Sequence, residues 1–71
     1  MKAYMLEMFY MDVDYDPYEY QVQRFLFQGK DETIYDIVMN EIKTFEKVNK
    51  KRGLKVEQYN LFEYIGGKSL K

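Results

Sequence analysis

The chain has 71 residues, with eleven lysines and arginines against twelve aspartates and glutamates, and a net charge of −1. It contains no cysteine, histidine or tryptophan. A Cys/His zinc site, a disulfide framework, a Cys/His nucleophile pair and a Ser-His-Asp triad are therefore excluded.

Residues 2–15 read as a first strand. Ala3-Tyr4-Met5-Leu6 and Met8-Phe9-Tyr10-Met11 are apolar at both parities, as expected of a central strand covered on both faces. Alternation follows in Asp12-Val13-Asp14-Tyr15-Asp16, which predicts three carboxylates on one face as the strand leaves the core, and Asp16-Pro17 is a turn signal. Residues 18–28 read as a second strand, antiparallel to the first in a hairpin. Tyr18, Tyr20 and Val22 share one face, whereas Phe25 and Phe27 fall on the other. That inversion predicts either a bulge near Arg24 or cover on both faces at that end.

Residues 32–51 carry the pattern of an amphipathic helix. Ile34, Ile37, Val38, Ile42, Phe45 and Val48 form one stripe at helical spacing, widened by Tyr35 and Met39. Asp31 is the expected N-cap, and Gly53 suits the position just past the C-terminus. Residues 54–65 read as a third strand, with Leu54, Val56, Tyr59, Leu61 and Ile65 set against Phe62 and Tyr64. A slip of phase between Val56 and Tyr59 predicts a bulge or a late start. Residues 66–71 read as a frayed tail. Their G-K-S fragment lacks the earlier glycine of a phosphate loop, because that position is Phe62.

The expected architecture is α+β, in the order β-β-α-β, as one domain over residues 1–65. A three-stranded sheet in order 2-1-3 carries one helix on one face. A right-handed crossover through the helix brings the third strand parallel to the second. A chain of this mass buries about 60% of its unfolded surface, which is marginal without a disulfide or metal, so self-association is expected to supply the missing stability. Aromatic residues make up 18% of the chain, with eight Tyr and five Phe. One helix shelters one sheet face, so an aromatic patch is expected on the reverse, and exposed apolar patches mark binding surfaces.

Three polar groupings compete with that patch. Asp12, Asp14 and Asp16 have the oxygen chemistry of a hard-cation site, but the calcium-loop pattern fails at Pro17 and Gln23, so they read as a solvated strand end that discourages edge pairing. Lys47, Lys50, Lys51, Arg52 and Lys55 cluster at the helix end and the following turn. Beside aromatic strands they suggest contact with nucleic acid, against which the net charge argues. Residues 1–36 carry eight acids and three bases, and residues 37–71 four acids and eight bases, a split suited to head-to-tail contacts.

Carboxylate catalysis needs two differently perturbed acids in a concave site, for which so small a domain has little room. The expectation is thus a non-enzymatic protein-interaction module without cofactor or metal. Its expected contact residues, toward a protein partner and toward a second copy in a homodimer, are Tyr4, Tyr10, Tyr20, Phe62 and Tyr64. The alternative is a small nucleic-acid-binding protein using the five basic residues. No leader or membrane span is read in the sequence, and a cytoplasmic location is the default. In general character alone, a short Tyr- and Met-rich chain without catalytic residue types resembles the accessory proteins of phages and other mobile elements. That resemblance implies binding to a host protein that is inhibited or redirected.

Overall fold

The structure is a computed structural model and describes residues 2–64. β1 (Lys2–Asp12) and β2 (Asp16–Gly29) form an antiparallel hairpin, α1 (Ile34–Val48) follows, and β3 (Val56–Glu63) closes the sheet. Short 3-10 turns flank the helix at Asp31–Thr33 and Lys50–Arg52. The strand order is β2-β1-β3, as the sequence predicts, and both outer strands run antiparallel to β1, hence parallel to each other. The expected tail at 66–71, with its G-K-S fragment, and Ile65 lie outside the described residues.

Even-numbered positions of β1 face the helix. Leu6 and Met8 are fully buried, and Ile34 and Val38 of α1 meet them to form the core. The register carries this parity outward. Phe25 and Phe27 of β2 lie opposite Leu6 and Tyr4, and Leu61 and Tyr59 of β3 lie opposite Leu6 and Met8. All four pack against the core. Aromatic rings thicken this layer, with Tyr4 on Phe27 at 5.7 Å, Phe25 on Phe27 at 5.5 Å and Tyr10 on Phe45 at 4.9 Å between centroids.

The β1–β2 register is unbroken from Lys2–Gly29 to Met11–Tyr20, so no bulge lies near Arg24. The change of phase in β2 has another cause. The helix leaves β2 beside Gly29 and ends near Val56, whose backbone N–H donates to Glu46 at 2.9 Å. It therefore crosses the sheet from one corner to the opposite one. Phe25 and Phe27 lie beneath its start. Gln21 and Gln23, on the same face of β2, lie beyond its cover and are polar. The phase slip in β3 is a bulge, because Phe9 pairs with Gln58 and Tyr10 with Val56, leaving Glu57 unpaired.

Several local expectations are corrected. β1 ends at Asp12 rather than continuing to residue 15, because Tyr15 N–H donates to the Asp12 carbonyl at 3.0 Å and closes a turn. Asp31 does not cap the helix with its side chain. Its carboxylate instead accepts the Tyr4 hydroxyl at 2.5 Å and the Lys2 ammonium at 3.4 Å. The α-helix proper is shorter than residues 32–51, and Tyr35 and Val48 at its ends are exposed rather than part of the buried stripe. Leu54 is buried in the connection before β3, not in the strand itself. Gly53 does take the left-handed conformation expected past the helix, with φ 70°.

Candidate interaction surface

Odd-numbered positions of β1 face away from the helix, and the register identifies their neighbours. Met5 lies between Leu26 and Phe62, Glu7 between Arg24 and Asn60, Phe9 between Val22 and Gln58, and Met11 beside Tyr20. Tyr64 joins the first group, because its N–H donates to the Ala3 carbonyl at 2.7 Å. No second layer lies over this face among the described residues. Leu26 is 57% exposed, Tyr20 52%, Phe62 45% and Tyr64 41%. The face thus carries two apolar areas, one at each end, separated by a polar row.

That row is anchored by an ion pair in which Arg24 Nε donates to Glu7 Oε2 at 2.9 Å. Glu7 is largely sheltered by its neighbours while Arg24 is more than half exposed, so the pair presents a guanidinium beside a shielded carboxylate. At one end the Tyr20 hydroxyl donates to Glu57 Oε1 at 3.0 Å across β1. The Glu57 carboxylate holds the Tyr20 phenol above its ordinary pKa.

The five aromatic candidates divide by face. Tyr20, Phe62 and Tyr64 lie on the open face. Tyr4 and Tyr10 lie under the helix, Tyr4 stacked on Phe27 and Tyr10 tilted against Phe45, and leave the set of surface aromatics. The Asp31 carboxylate pushes the Tyr4 phenol up to about 12, and the same hydrogen bond, aided by Lys2, lowers the Asp31 carboxyl. Sequence reasoning missed Met5, Phe9, Met11, Val22 and Leu26. A signal for them exists, because Glu7 is the one charged residue between Ala3 and Met11 and marks the odd positions as the uncovered side.

The polar groupings are largely consumed by the fold. Asp12 and Asp16 pair across the hairpin, and Asp14 lies in the turn between them rather than along one strand. Asp12 is 5% exposed, accepts from Arg52, and also accepts Asp14 N–H at 3.2 Å. Asp16 accepts Tyr18 N–H at 3.0 Å. These carboxylates fold the hairpin end by bonding their own backbone. Among the described residues no group of three acids is placed to hold a metal ion. Of the basic cluster, Arg52 is spent on Asp12, while Lys47, Lys50, Lys51 and Lys55 are exposed at the helix end. That end lies beside the acidic hairpin, so the opposed charges of the two halves of the chain meet within one molecule and do not form separate poles. A shallow depression at the other end of the sheet is lined by Lys2, Gly29, Lys30, Asp31 and Glu32.

No helix among the described residues is long and apolar enough to cross a membrane. In comparisons of sequence and of fold, the chain matches no protein-family model, no curated protein and no solved structure.

Proposed function

We propose that this chain is a non-enzymatic protein-interaction module, at work in the cytoplasm, whose working surface is the open face of the sheet. The observation that carries the reading is the exposure of Leu26, Tyr20, Phe62 and Tyr64 together on one face. They flank a central strand whose Met5, Phe9 and Met11 are half-buried only by their neighbours. Patches of this kind are the recurring mark of protein contact, and Tyr, Phe and Met are enriched there. Ring side chains give rigid contact area at low entropic cost. Tyr20, Phe62 and Tyr64 are the contact residues proposed from the original set.

The nucleic-acid alternative has less support. Lys47, Lys50, Lys51 and Lys55 lie at the helix end, and the aromatic face carries Arg24 paired to Glu7.

A paired-variant binding experiment tests the reading. Leu26→Lys places a charge on the open face, and Tyr35→Lys places one on the exposed flank of the helix. Both variants are checked for folding by circular dichroism. The protein-contact reading expects Leu26→Lys to lose the protein associations of the wild type, its own copies included, while Tyr35→Lys retains them. Equal retention by both overturns it, as does binding only to nucleic acid that weakens steeply with salt.

A further inference from the structure

The open face is self-complementary in one particular arrangement, and we infer that its occupant is a second copy of this chain, stacked face to face about a two-fold axis parallel to the strands and lying between β1 and β2. This inference rests on the reading of that face as a protein-contact surface. A closed dimer requires each patch to match itself under the symmetry operation. Rotation about this axis lays β1 of one copy over β2 of the other, row by row. Leu26 meets the second copy's Met5, Val22 its Phe9 and Tyr20 its Met11, so each apolar row meets an apolar row.

The central row decides the arrangement. An axis running along β1 would set Glu7 on Glu7, and an axis crossing the strands at that row would set Glu7 on Glu7 and Arg24 on Arg24. The axis between β1 and β2 alone sets Arg24 over the second copy's Glu7 and the reverse, giving four alternating charges at the centre. Like charges in a desolvated contact are strongly disfavoured, so the charge row selects the register. Sheet twist turns the two strand directions by about 30°, so the match of rows is closest at the central charges and loosens toward the ends.

The axis overlaps β1 and β2 of the two copies and leaves β3, with Phe62 and Tyr64, flanking the contact. An eleven-residue β1 runs about 36 Å, and two strands span about 10 Å, giving roughly 350 Å² in plan. That is below the ~800 Å² per partner of standard interfaces and fits a dimer that forms at high concentration. The stability deficit points the same way. Only Leu6, Met8, Ile34, Val38 and Leu54 are buried hydrophobics among the described residues, and the chain has no disulfide with which to compensate.

Charge reversal with mixing tests the arrangement. Arg24→Glu gives a face with two carboxylates, and Glu7→Arg gives one with two guanidinium groups. Sedimentation is expected to show the wild type at about twice the 8.7 kDa chain mass, and each variant alone at the monomer mass. An equimolar mixture is expected to return to the dimer mass, because every cross-copy contact is then opposite in sign. An ion pair that served only its own chain would not be restored by mixing. Should either variant fail to fold, contacts between Leu26 and Met5 methyl groups of differently labelled wild-type copies serve instead. Their presence in isotope-filtered NMR is expected, and a dimer without them overturns the arrangement. A wild type that stays monomeric at several hundred micromolar overturns the dimer. The open-face reading then stands or falls on whether Leu26→Lys loses other protein associations.

Discussion

The two faces of the sheet are built from the same three strands and are almost equally apolar, yet only one is a core. Leu6 and Met8 on the helix side have no solvent exposure, whereas Leu26 and Phe62 on the reverse keep about half of theirs. The difference comes from cover, not composition. One fifteen-residue helix is about 22 Å long, and it lies across strands that reach about 36–46 Å. It shelters a diagonal of one face and nothing of the other. Outside that diagonal the same face of β2 carries the polar Gln21 and Gln23. The open face carries Leu26, Phe62, Tyr20 and Tyr64 exposed, which is what the proposed contact surface rests on.

Substitutions on the two faces sharpen this contrast. Leu6→Ala empties a fully buried site and is expected to cost about 2–5 kcal/mol, enough to unfold so small a chain. Met5→Ala, one position away and on the other face, is expected to cost under about 1 kcal/mol in dilute solution. Urea titrations of the two side by side measure the gap, and equal losses would erase the distinction between the faces. Arg52→Ala strips the buried Asp12 carboxylate of its cation at the hairpin end. A loss of about 1–2 kcal/mol is expected from the same titration.

Gly53→Ala tests a purely conformational term, since φ is 70° and nothing lies within 4 Å of an added Cβ. About 1 kcal/mol is expected, without change in self-association.

The smallest effect is Tyr4→Phe, and its signature is pH dependence. Asp31 has a lowered carboxyl pKa in the folded chain, so its contribution is present above the ordinary carboxylate range and fades as pH falls through the folded value. The Tyr4 phenol is raised to about 12, so its contribution is complete below the ordinary phenol range near 10 and fades as pH rises toward the folded value. The Tm difference between wild type and Tyr4→Phe is therefore expected to be constant through neutral pH and to shrink at both extremes.

Much of this architecture was legible in the chain. The strand order followed from β1 being apolar at both parities, and the helix from its period. The face of each aromatic was less accessible, because a strand apolar at both parities carries no phase of its own. Glu7 supplied that phase, and with it Tyr4 and Tyr10 belong with Leu6 and Met8. The inversion in β2 reads locally as a bulge or as cover on both faces, and the diagonal path of the helix explains it. The Tyr4–Asp31 bond joins residues 27 apart in sequence, so no local pattern distinguishes it from a helix cap. The acids of the hairpin end look like a ligand cluster in sequence, but backbone N–H groups and Arg52 engage the Asp12 and Asp16 carboxylates.

Methionine oxidation reads the central claim directly, because the chain carries its own probes on both faces. Met8 is fully buried in the core, and Met5 and Met11 lie on the open face. Brief peroxide treatment followed by peptide mass spectrometry is run across a concentration series. Met8 is expected to resist at every concentration, while Met5 and Met11 oxidise in dilute solution and become protected together as concentration rises. Oxidation of Met5 and Met11 that is independent of concentration would contradict a face covered by its own second copy.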